Sequence, residues 1–310
     1  MGTPDFAVPS LVHLHQAHQV LAVFCQPDRA QGRSRKPVAC PVKQKALALG
    51  LPVHQPKRIR VRKWVRLLQE LAPDVIAVAA FGQILSQEVL DVPKIDCLNV
   101  HASLLPRWRG ASPIHHAIKS GDKQTGIGIM KMVLELDAGP VYKQEAYAID
   151  AEIGRLALEK QLADLGARLL LETLEQLTQL EPVPQDPGEM CYAPIIGKDF
   201  GYLDPALETA ETLANTARAY EGWPSLVTRF RGVGVKWHRV RQVPAETQAN
   251  PGEIALVTKK RLCLACADNT WLELLEVQPS GKKSQPTAAF INGYHPRLGE
   301  RFQSMLPGSG

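Results

Sequence analysis

Residues 75–80, VIAVAA, are apolar at six consecutive positions, and Pro73 ends the amphipathic segment before them. A strand with one wet face alternates polar and apolar side chains, so a run with no polar position must be covered on both sides. Strands of that kind belong to parallel sheets with helices packed on both faces, which restricts this chain to an α/β architecture. The surroundings agree. VLAVF (20–24) reads as a strand, and PVKQKALALG (41–50) as a helix closed by Gly50. In 60–72, Val61, Trp64, Val65, Leu68 and Leu71 share one helical face. Leu98–His101 alternates as a further strand. Ser112 and Pro113 are a cap and first-turn pair for a helix stopping at Gly121, and TGIGIMKM begins the next strand. Strands alternating with helices predict a doubly wound domain.

The second half is built differently. Residues 155–180 are Leu-rich and helical, with a break expected near Gly166. Prolines 182, 184, 187, 194 and 205, with glycines 188, 197 and 201, mark 182–205 as a linker between a domain at 1–181 and one at 206–310. After a helix over 209–220, LVTRF, VKWHRV, GEIALVT, RLCLACA and WLELLEV read as a small antiparallel barrel or sheet.

No stretch approaches the roughly 20 apolar residues of a membrane span. The N-terminal residues lack the basic region and apolar run of a secretion signal, so a cytoplasmic protein is the expectation. The six cysteines are scattered. Cys263 and Cys266 alone approach metal-ligand spacing, but on a strand positions three apart face opposite sides, which favours buried structural thiols.

The chemistry concentrates in LNVHASLLPRWR (98–109). Asn99 and His101 project from the same side of a strand end, beside a loop that Pro106 keeps irregular. Neither is a strong nucleophile; together they suit polarising a carbonyl and stabilising the oxyanion that another group's attack creates. Ser103 lacks the context of a nucleophile elbow. His13, His15 and His18 diverge on a helix and read as surface residues, and Gly126 with Gly128 is too weak a motif to imply dinucleotide binding. The net charge of +5 is uneven. Arg29, Arg33, Arg35, Lys36 and Lys43 cluster in a Gly- and Pro-containing loop suited to phosphates and an unpaired RNA end. KRIRVRKWVR (57–66) could flank such a surface, with Trp64 read as core.

NVHASLLPRWRGASPI (99–114) with LDAGPV (136–141) resembles the folate-dependent formyltransferases. GTPDFAVPSL, QPDRAQGR, AFGQIL and QPSGKK extend the resemblance along essentially the whole chain, toward the branch that acts on methionyl initiator tRNA. It implies a Rossmann-like formyltransferase domain followed by an OB-like β-barrel. It implies 10-formyltetrahydrofolate as formyl donor, no metal, and a monomer. Asn99, His101 and Asp137 fill the catalytic positions, and Ser103, Leu104, Leu105 and Pro106 help wall the folate site. Arg33 matches the key arginine of a tRNA-binding loop, with Arg35 and Lys36 beside it, and Lys282 and Lys283 are placed on the tRNA body. Two alternatives remain: a small acceptor in place of the tRNA, or a non-catalytic tRNA-binding relative. Relatives also carry a hydrophobic strand just before GTPDFA. The expectation is a sheet short of its first strand, with two neighbouring edges unpaired.

Overall fold

The structure is a computed structural model that describes residues 1–30 and 37–305. The parallel strands form as expected, but in two separate pairs. β1 (Val23–Phe24) runs parallel to β2 (Val53–His54), and β3 (Val75–Val78) runs parallel to β4 (Asp96–His101). Beyond β4 the doubly wound expectation is corrected. β5 (Gln124–Lys131) and β6 (Val141–Ala148) continue the sheet antiparallel, making it mixed. Residues 132–140, which join them, are fewer than the dozen or so that a parallel crossover requires.

Between β1 and β3 the ladder is minimal. Met1 N donates to Ala77 O at 2.6 Å, Ala79 N to Met1 O at 2.9 Å, and Gly2 N to Phe24 O at 3.0 Å. Among the described residues, the pairing between β1 and β3 runs through Met1 and Gly2. β1 is two residues long, against the five of VLAVF read from the sequence. An apolar cavity of about 430 Å³ lies between the two pairs, lined by residues including Leu11, Leu21, Val75, Ile76 and Leu174.

Six α-helices precede residue 180 among the described residues. α1 (Val8–Ala17), α2 (Pro41–Ala48) and α3 (Arg62–Leu71) follow the sequence pattern, and Ala72 takes a left-handed φ of 45° where α3 ends. After α4 (Gln87–Leu90) and α5 (Pro113–Lys119), α6 runs unbroken from Arg155 to Gln176. The predicted break at Gly166 does not occur. Gly166 is there for packing, since a Cβ would lie 2.7 Å from Val100 Cγ1 on the sheet.

The chain divides into two compact units: residues 1–113, 124–148 and 157–193, and residues 114–123, 149–156 and 194–310. In the second, α7 (Ala210–Ala219) is capped by Thr209, whose hydroxyl accepts from Thr212 N. β7 (Leu226–Phe230), β8 (Val233–Val243), β9 (Ile254–Val257), β10 (Leu262–Ala265), β11 (Trp271–Pro279) and β12 (Gln285–Pro286) follow. α8 (Thr287–Tyr294) and β13 (Phe302–Gln303) complete the unit. The strands form one antiparallel sheet in the order β9-β10-β11-β8-β7-β13, with β12 beside β11. A bridge between Glu253 and Arg301 brings its ends together, so the sheet curls around Leu213, Phe230, Trp237, Phe290 and Phe302.

Cys263 and Cys266 are buried in different clusters, as the strand reading requires. Burial pushes the Cys263 thiol up to about 11 and Cys266 to about 12. No helix among the described residues is long and apolar enough to cross a membrane.

Candidate active site

β4 carries Asn99 and His101 to the carboxyl end of the parallel strands, where open α/β sheets place their ligand crevices. Asn99 is half-buried and lies in register with Val78 and Met130. Its side-chain amide makes no hydrogen bond with a described residue. His101 is 5% exposed, and its Nε2 lies 2.9 Å from the carbonyl of Trp108. A carbonyl can only accept, so Nε2 carries the hydrogen and Nδ1 is left for reacting groups. The tautomer is thus held by the backbone at Trp108. Asp137 Oδ2 stands 3.7 Å from Nδ1, wide for a hydrogen bond but close enough to share a bound group.

Asp137 is itself fixed from several sides. Its Oδ2 accepts from Gly110 N at 2.9 Å, and its backbone adopts a left-handed φ of 51°. Gly139, two residues on, admits no side chain: a Cβ would lie 1.8 Å from Lys131 O. The LDAGPV turn is therefore tied to the strand beneath it.

Ser103 is fully buried and its hydroxyl donates to Arg107 O at 2.6 Å, so it is a loop brace and no nucleophile. Leu105 is buried, Leu104 and Pro106 are half-buried, and the Leu105–Pro106 bond is cis. This loop lies close over β5. A Cβ at Gly126 would fall 2.5 Å from Leu104 Cδ2, and one at Gly128 3.5 Å from Leu105 Cδ1. Gly126 thus has no room for a side chain between the Glu145 carbonyl on β6 and Leu104 of the loop, whereas a Cβ at Gly128 would make ordinary contacts.

Three supporting residues escaped the sequence reading. Arg109 is buried, with Nε donating to Gln185 Oε1 at 2.9 Å. Gln185 Nε2 donates in turn to Asp137 O at 2.9 Å and Gly139 O at 2.7 Å. Gly110 supplies the bond to the carboxylate. The segment holding Gln185 folds with the first unit: Val183 exchanges hydrogen bonds with Val141, and Arg109 with Cys191 and Ala193. Its Pro-rich composition concealed this role, because an extended strap has no hydrophobic periodicity. Replacing Gln185 with Leu should lower kcat about 10- to 100-fold with KM little changed, since it frees the Asp137 turn to shift. Gln185→Glu should retain the Arg109 bond but lose kcat. Steady-state kinetics alongside a melting curve would check this; wild-type kcat in the Leu variant would refute it.

Arg33, Arg35 and Lys36 lie outside the described residues. Lys282 and Lys283 are exposed in a turn of the second unit, where Gln278 Nε2 donates to Lys282 O at 2.9 Å.

Residues 1–174 match the family described as formyl transferase, and residues 196–295 match its C-terminal domain. The chain belongs to the formyl transferase family. Among its relatives, a methionyl-tRNA formyltransferase of Acidithiobacillus ferrooxidans is 43% identical over 302 residues, 96% of each chain. One of Thermus thermophilus is 41% identical over 97% of each, and one of Bacillus subtilis 40% identical over 97% of this chain and 95% of its own. Solved structures share the fold at lower identity. WlaRD, a sugar 3N-formyl transferase determined with dTDP and 5-N-formyl-THF, is 15% identical with a TM-score of 0.67, covering 91% of this chain and 97% of its own. HypX from Aquifex aeolicus in complex with tetrahydrofolic acid is 18% identical with a TM-score of 0.56, covering 80% of this chain and 43% of its own. Membership makes this chain a formyl-transferring enzyme.

Proposed function

We propose that this chain transfers the formyl group of 10-formyltetrahydrofolate to the α-amino group of methionyl initiator tRNA. The observation that carries the chemistry is the unpartnered Asn99 amide on the same strand face as His101, whose Nδ1 is open toward Asp137. An amide with no partner among the described residues, beside a buried imidazole, fits a carbonyl oxygen, and the formyl group supplies one. Attack by the amine on the formyl carbon makes the new C–N bond and drives charge onto that oxygen. Asn99 donates an N–H to it, and a proton on His101 Nδ1 is a second donor. Asp137, 3.7 Å away, takes the proton that the amine sheds, directly or through water. The old C–N bond then breaks, and the proton taken by Asp137 passes to the departing folate nitrogen.

Residues 1–181 supply this chemistry, with the folate held against the 103–106 loop by Leu104 and Pro106 and the backbone of Ser103 and Leu105. The segment 182–205 leads to residues 206–310, an OB-like curled sheet that contacts the tRNA through Lys282 and Lys283. Arg33, Arg35 and Lys36 contact the acceptor end. The protein works as a monomer in the cytoplasm. For the acceptor, the support is the named relatives at about 40% identity along nearly the whole chain. The test is formyl transfer from 10-formyltetrahydrofolate to charged initiator tRNA, run beside dTDP-amino sugars. Transfer to the tRNA is expected; transfer to the sugar alone would overturn the reading.

A further inference from the structure

Six of the ten residues in 57–66 are Lys or Arg, and all six side chains are exposed. Ile59, at 0% exposure, and Val65, at 5%, pin the segment to the core beside Phe24 and Leu68, so the cations are all turned outward. Trp64 packs edge-on to Phe24 at 6.4 Å, which makes it a floor under the segment. None of the six cations forms an ion pair with a described residue; Lys63 alone has a partner, the face of Trp64 at 4.9 Å.

Their position works against local stability. α3 begins at Arg62 with no side-chain cap and no acidic residue in its first turn. Arg62 and Lys63 therefore sit at the positive end of the helix dipole, where cations are disfavoured and anions favoured. Glu88, Asp91 and Lys94 share a surface depression with Arg62 and Arg66, which partly offsets that pair.

The segment is also held at a defined place. Gln83 clamps it, accepting from Ile59 N at 2.7 Å and donating to Pro56 O at 2.7 Å. Gln83 belongs to the loop after β3, which is bonded to the loop after β1 through Gln26 Nε2 and Gly82 O at 2.9 Å. Gln55 Nε2 donates to Gln26 O at 2.8 Å, tying in the loop after β2. Lys57–Lys63 thus follows the carboxyl end of β2 and is held to the loop after β3, the strand paired with β4, which carries Asn99 and His101.

We propose that Lys57, Arg58, Arg60 and Lys63 form a phosphate-binding surface that grips the RNA backbone of the acceptor substrate beside the catalytic edge. The proposal rests on the reading that the amine is RNA-borne. Phosphates suit it because exposed cations displace condensed counterions whatever the base sequence, and a dense run at a helix's positive end strengthens the local field.

The test is the quadruple variant K57Q/R58Q/R60Q/K63Q, titrated with charged initiator tRNA between 50 and 200 mM salt. Losing four phosphate contacts should flatten the slope of log K against log salt by about 3. KM for tRNA should rise at least tenfold at low salt, with kcat at saturation within about twofold and folate affinity unchanged. An unchanged slope and KM would overturn the proposal, as would a lower melting temperature that accounts for the loss. If the wild type formylates no tRNA, the parent reading fails separately, because the salt slope reports RNA contacts without chemistry.

Discussion

Asn99→Ala should lower kcat for formyl transfer by about 10²- to 10³-fold, with KM for both substrates changed by less than about threefold. The substitution is clean. The Asn99 amide has no hydrogen bond to a described residue and is half-buried, so its removal leaves no protein group without a partner. What disappears is one donor aimed at charge that exists only in the transition state, which acts on kcat. His101→Ala should cost at least as much, but less cleanly, because the Trp108 carbonyl at 2.9 Å then loses its donor and the 103–109 loop can shift. Single-turnover formylation with saturating substrates would measure both. Turnover within tenfold of wild type in Asn99→Ala would remove it from the mechanism.

The apolar run at 75–80 announced a strand for a parallel sheet, and β3 is one. The alternation at 98–101 placed Asn99 and His101 on one face, and β4 does so. These are properties of local periodicity, which one stretch of sequence carries entire. The same holds for α2, α3 and α7, whose stops and caps sit where Gly50, Pro73 and Thr209 put them. Where the chain failed to show its structure, the cause was a long-range contact. Gly166 looked like a helix break, but it is small so that α6 can approach Val100. Gly126, half of a weak nucleotide motif, is small because β6 and the 103–106 loop both crowd it.

The catalytic trio divides along the same line. The sequence by itself determined that Asn99 and His101 face one way, that a family motif adds Asp137, and that the chain is a formyl transferase in two parts. Tertiary structure alone decided that Trp108 O holds the His101 tautomer, leaving Nδ1 open. It also decided that Gln185, 48 residues beyond Asp137, holds the Asp137 turn. A hydrogen bond between residues so far apart leaves no periodic trace, because it depends on where the backbone returns and not on what its neighbours are.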